Sequence, residues 1–245
     1  IINKVADMMD NYPQPTILPR EESDEETASI LSKVIPAILE RNNYTKVYYG
    51  CAMEKVKNGV SVAGVFWNPT KDNIGDVEIK RIDIINMRWE PNIEDIQDSK
   101  EVFILTESDV DTMKVLYPQI LGNLTGEFGT DLSSYSDSEV ARSEDKVIVY
   151  DWYYKKTVSV EIGGQVFPKT VLHYAKFCNG KLLYASENDP TKESGWYEDG
   201  QYPFIFDVMY PIKNTPVGFG MIDIIREPQE FIDKMNKALI QNVLA

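Results

Sequence analysis

His173 is the only histidine in the chain, so any imidazole chemistry must run through it. It sits in an alternating run, Val171, His173, Ala175 and Phe177, whose period of two places it on one face of a strand. A metal or acid-base role needs partner ligands or a nucleophile near at hand, and the neighbouring sequence supplies neither. A partly buried structural histidine is the reading that follows. No GxSxG elbow exists, and Ser194-Gly195 runs into Trp196-Tyr197 and not into a helix-forming segment. Cys51 falls on the apolar side of a helical pattern, as an inert thiol does. Cys178 opens an Asn179-Gly180 turn and is expected to be the more exposed of the two, yet no base stands at catalytic spacing from it.

Carboxylates are the remaining chemistry. Glu90, Asp95, Asp98, Asp151, Glu187 and Asp189 all lie near strand ends or aromatic residues, and a glycosidase needs two such groups at a fixed separation. With 39 Asp and Glu in 245 residues, such proximity arises without catalysis, and a solvated face is the simpler explanation. Gly218-Phe219-Gly220 begins like a nucleotide fingerprint but lacks its completion, and Asp72, Asn73, Asp76 and Glu78 miss the order of a calcium loop. Trp67, Trp89, Trp152 and Trp196 would suit a sugar platform, although their strand placement favours core and interface packing. The sequence therefore assigns no catalytic, cofactor-binding or metal-ligating residue and implies no cofactor. A carbohydrate-active enzyme or binding module on the aromatic strands stays as the alternative, to be recognised by Trp89 or Trp152 beside two suitably spaced carboxylates.

The elements that would position these groups change character along the chain. Residues 1–12 pattern as a helix with Val5, Met8, Met9 and Tyr12 on one side, stopped by Pro13 and Pro15. Ser23 and Glu26 form a candidate capping box ahead of a stripe through Ala28, Leu31, Ile35 and Ile38, with a bend or a fresh turn expected at Pro36. Tyr44 to Lys55 continues as helix until Asn58-Gly59. Past Gly59 the period becomes that of strands at 60–67, 77–85, 101–106, 147–154, 171–177, 182–186 and 204–209. Asn73-Ile74-Gly75-Asp76 and Cys178-Asn179-Gly180-Lys181 read as hairpin links, the second a type I′ turn. Ser108 with Asp111 is a candidate cap for a short helix that Pro118 would stop.

The expected class is α+β, divided as a helical region at 1–58, a mixed sheet-rich core at 59–215, and a glycine turn with an amphipathic helix at 216–245. Residues 119–145, rich in Gly, Ser and acids, are expected to form a surface excursion. In the last helix Phe231, Ile232, Met235, Leu239, Val243 and Leu244 share one side. Without a capping signal at its end, that helix suggests a piece of a longer chain, as does Ile1 at the start. The core of the same subunit is the expected cover for Phe231, Met235 and Leu239, with an adjacent subunit as the other candidate.

A hydrophobic content of 43% supports a folded core, and two cysteines without CxxC spacing indicate neither a disulfide framework nor a thiolate metal site. No 18-residue apolar run and no secretion signal is visible, so no membrane partner is expected and the patterns at Asn43-Tyr44-Thr45 and Asn123-Leu124-Thr125 are chance matches to a glycosylation signal. A net charge of -14 opposes tight binding to a nucleic-acid backbone but suits a surface past which a polyanion slides.

Several long strings then agree with one another: NYPQPTILPREESDEETASILSKVIPAILERNNY, VAGVFWNPTKDNIGDVEIKRIDIINMRWEPNIEDIQDSKEVFI, VIVYDWYYKK, VLHYAKFCNGKLLYASEND and the run from Gly195 to Asn242. Together they resemble the portal proteins of tailed bacteriophages and of prophages in low-GC Gram-positive bacteria. The most specific parts are Gly64-Val65-Phe66-Trp67, Trp89-Glu90-Pro91 through Ser99, and Gly218 to Asn236.

That resemblance implies a structural, non-enzymatic subunit of a homo-oligomeric ring, typically of twelve copies, at one capsid vertex of the virion. The ring nucleates procapsid assembly with capsid and scaffolding proteins, docks terminase, passes double-stranded DNA in and out, and receives head-completion and tail connectors. The chain resembles the wing side of such a subunit, leading toward a stem. Terminase contacts would then lie in other regions, and assembly would take place in the host cytoplasm. Another head-tail connector is a second alternative.

Overall fold

The computed structural model describes residues 1–71, 74–121, 146–162 and 165–244. Most of the 119–145 excursion and the Asp72-Asn73 part of the first hairpin link lie outside the described residues. The fold is α+β, with antiparallel sheets, helices near the amino terminus and a helix at the carboxyl end, as the change of period from 3.6 to 2 at Gly59 requires. The chain divides into two compact units, one of residues 1–82 with 203–245 and one of residues 83–202.

The first unit begins with α1 (Ile2–Asp10), α2 (Glu25–Arg41) and α3 (Tyr44–Asn58). Val5, Ala52 and Val56 form its buried helical cluster, with Met8, Met9 and Met53 packed round them. Full burial of a valine such as Val5 or Val56 contributes about 1.5–3 kcal/mol. One expectation changes here. A turn of 3₁₀ helix at Glu22–Asp24 precedes α2, and Ser23 donates to Asp24 Oδ1 at 3.4 Å in place of capping the helix. Helix α2 also remains helical through Pro36, so no new element starts there.

Between α2 and α3 the chain turns at Asn43, with a left-handed φ of 49°, a conformation that asparagine tolerates better than most residues. Its neighbour Asn42 donates to the carbonyls of Ile38 at 2.8 Å and Val77 at 3.0 Å and accepts from Ile79 N–H at 3.1 Å. Those bonds seal the outer edge of β2. Strands β1 (Val60–Asn68), β2 (Asp76–Ile82) and β8 (Phe204–Val208) form an antiparallel sheet in the order β2-β1-β8. Buried Asp76 pairs with Arg41 at 3.3 Å and Lys71 at 3.7 Å, fixing the end of α2 to the hairpin. The small ribbon of β9 (Tyr210–Pro211) and β10 (Gly218–Phe219) leads into α6 (Met221–Leu244).

The second unit is an antiparallel sheet in the order β3-β4-β5-β6-β7, from Met87–Trp89, Glu101–Asp109, Lys146–Ile162, Gln165–Cys178 and Lys181–Ala185. Asn179 and Gly180 both have positive φ, 49° and 66°, as the expected type I′ turn demands. Short strand β3 was not expected, because three residues carry too little alternation to register. Helix α4 (Val110–Leu116) is capped by Asp109, whose carboxylate accepts from Thr112 N–H at 3.2 Å; Ser108 belongs to β4. Pro118 opens α5 (Pro118–Leu121) instead of ending helical structure, since a first-turn position needs no N–H. Val110 and Met113 of α4 pack on Val147, Val149 and Cys178.

Candidate functional site

His173, Cys178 and the carboxylates Glu90, Asp95, Asp98, Asp151, Glu187 and Asp189 lie in the second unit, and Cys51 lies in α3 of the first; Trp67, in β1, is exposed. His173 is 8% exposed, with Nδ1 3.2 Å from Ser186 Oγ. Ser186 Oγ also accepts the Tyr174 N–H at 2.9 Å. Burial lowers the His173 pKa. Ser186 has no exposed surface. Glu187 is held below the usual carboxylate range first by the hydrogen bond from Lys156, whose Nζ lies at 3.2 Å. Tyr154 is pushed up to about 12 by burial and its bond to Glu187.

The other carboxylates have similar occupations. Tyr174 OH donates to Asp151, which also pairs with Lys176 at 3.2 Å. Asp189 accepts from Thr191 Oγ1 at 2.7 Å, Thr191 N–H at 2.9 Å and Tyr184 OH at 3.0 Å. Asp95 accepts from Gln97 N–H at 2.8 Å, and Glu90 from Lys100 N–H at 3.2 Å. Trp152 stacks on Phe103 and Tyr154, and Trp196 packs against Tyr174. Cys178 is fully buried beneath α4, contrary to the expectation of exposure, because β6 extends through it and the turn begins only at Asn179. Cys51 is also buried, and burial raises its thiol pKa. Among the described residues no group of three His, Cys, Asp or Glu is arranged to hold a metal.

What stands out is α6. Its start is fixed by backbone contact: a Cβ on Gly220 would lie 2.2 Å from the Lys57 carbonyl oxygen, so only glycine lets α3 and α6 approach this closely. Gly220 N–H donates to Asp223 Oδ2 at 2.9 Å, and Met221 packs on the Val5, Ala52 and Val56 cluster. Beyond that root, the 24-residue helix extends for about 36 Å with its apolar side uncovered. Phe231 is 63% exposed, Met235 51% and Leu239 59%. The expectation that these three fill the core of their own subunit is thereby overturned. Among the described residues Ile224, Ile225, Ile232, Ile240 and Val243 are exposed with them.

A family model described as phage P22-like portal protein matches residues 1–242. The chain belongs to the P22-like portal protein family. No curated protein matches it. Portal proteins are structural components and not enzymes, and membership implies an oligomeric ring associated with the capsid vertex of a virion. No helix among the described residues is long and apolar enough to cross a membrane. A contiguous exposed apolar stripe on such a subunit is chemically suited to protein contact.

Proposed function

We propose that this chain serves as a structural, non-catalytic subunit of a portal ring that supports procapsid assembly, DNA packaging and ejection, and the attachment of head-completion and tail connectors. The observation that carries this reading is the uncovered face of α6 on a chain of the portal family. A ring needs two different patches that meet with a rotation that closes, and α6 supplies an apolar one. Capsid, scaffolding and terminase proteins are its further partners, and assembly proceeds in the host cytoplasm before the ring becomes part of the virion. The charge of -14 suits a component that lets double-stranded DNA pass without gripping it.

Electron microscopy of the full-length protein under assembly conditions tests the reading. Closed rings are expected. A protein that stays strictly monomeric at every concentration contradicts it.

A further inference from the structure

The long hairpin of β5 and β6 outruns the sheet that carries it. Pairing of β5 with β4 ends at Tyr154 opposite Glu101, and pairing of β6 with β7 begins only at Ala175, whereas β5 and β6 pair with each other as far as Ile162 and Gln165. The far half is thus a two-stranded ribbon, which on its own is marginal in water.

Its two edges are treated differently. Tyr174 N–H and the Leu172 carbonyl bond outward, to Ser186 Oγ and Trp196 N–H, so even-numbered residues of β6 face its outer edge. Pro168 falls in that series and removes a donor there, a usual protection of an edge. On β5 the Lys155 N–H bonds outward to the Lys100 carbonyl, so Thr157 and Ser159 direct their backbone groups to the same side, past the end of β4. Both are exposed, and neither position carries a proline. Among the described residues one edge is blocked and the other is open.

The chain also contains a segment with the complementary pattern. Residues 12–19 have no regular structure, and Leu18 is 77% exposed. Pro13, Pro15 and Pro19 bias the residues before them toward extended backbone. In an extended chain alternate residues direct their backbone groups to opposite sides. All three prolines are odd-numbered, so they close one side and leave the N–H groups of Gln14, Thr16, Leu18 and Arg20 on the other. Such a strand pairs on one edge and terminates the sheet on the next.

We propose that the open edge of β5 at Thr157 and Ser159 receives residues 13–20 of a neighbouring copy as an added strand. This rests on the portal-ring reading and names a contact within the ring. Leu18 and Ser159 are both exposed, and the pairing is assigned to neighbouring copies because a ring needs a contact between unlike segments of its subunits, here in the manner of strand addition. Because the two partners are different segments, the contact propagates head to tail as a ring requires.

Two variants of the full-length protein test it. With Leu18→Cys and Ser159→Cys together, oxidation should give a ladder of covalent dimers, trimers and larger species that the unsubstituted protein does not give, Cys51 and Cys178 being buried. Ser159→Pro removes only an outward N–H and should weaken assembly at least tenfold in midpoint concentration, with the melting temperature of the monomer unchanged. Wild-type rings that give no ladder, or only an internally linked monomer, overturn the strand addition while leaving the ring reading intact, as does Ser159→Pro assembling like wild type. Ser159→Cys alone linking into dimers and no further also overturns it, because that indicates like edges meeting. Absence of any wild-type oligomer overturns both readings.

Discussion

Gly59 and Phe219 meet backbone to backbone: a Cβ added to Gly59 would lie 2.3 Å from the Phe219 carbonyl carbon. The same glycine ends α3 with φ of 86°, so one residue both stops a helix and admits the strand that leads into α6. Gly59→Ala should therefore cost about 1–2 kcal/mol for the left-handed backbone alone, with the steric overlap added to it. Urea unfolding of the two proteins measures this, and a loss below 0.5 kcal/mol, roughly the scale of a neutral surface change, would show that the junction yields.

A pH effect follows from the single histidine. Burial depresses the folded-state pKa of His173 below its ordinary value, so the unfolded chain binds the proton more readily. Stability is then fully present above the unfolded pKa of about 6.5 and is lost as pH falls from there through the folded pKa. Denaturation midpoints taken between pH 7.5 and 5.5 should fall for wild type and fall less for His173→Gln. Equal slopes would remove His173 from the account.

Thiol reactivity provides a check on the cores. Cys51 and Cys178 are both buried, and burial raises the Cys51 pKa, so neither should react with a thiol reagent in the folded protein at neutral pH. Both should react at once in denaturant. Rapid labelling of Cys178 in the native state would mean that α4 does not stay seated on β6.

The DNA relation is measurable as well. With a net charge of -14 and no counterion release from clustered cations, the protein should not retain duplex DNA in a gel-shift assay near physiological salt. Micromolar retention would show a basic surface that the total charge conceals.

Most of the strands and helices were legible in the sequence because their periods are long. The 3.6-residue stripe of Tyr44 to Lys55 and the alternation of 171–177 each span enough residues to declare themselves, and Asn179-Gly180 carries its turn type in its chemistry. The misses were local or distant. Asp109 replaced Ser108 as a cap because strand pairing to Lys146 extends β4 through that point, which neighbouring residues do not reveal. Asn42 closing the β2 edge and Arg41 meeting Asp76 join residues 35 apart, beyond any local pattern. The apolar side of α6 was evident, but whether it is covered is a tertiary fact, and the structure reversed the intrasubunit expectation for Phe231, Met235 and Leu239.

The central claim is that a neighbouring protein covers that face of α6. Native mass spectrometry of full-length wild type beside Phe231→Asp with Leu239→Asp tests it most directly, because both side chains are exposed and their exchange should shift monomer stability by only about 0.5 kcal/mol each. The account predicts closed rings from wild type and folded monomers of unchanged melting temperature from the variant; rings of equal abundance and size from the variant would contradict it.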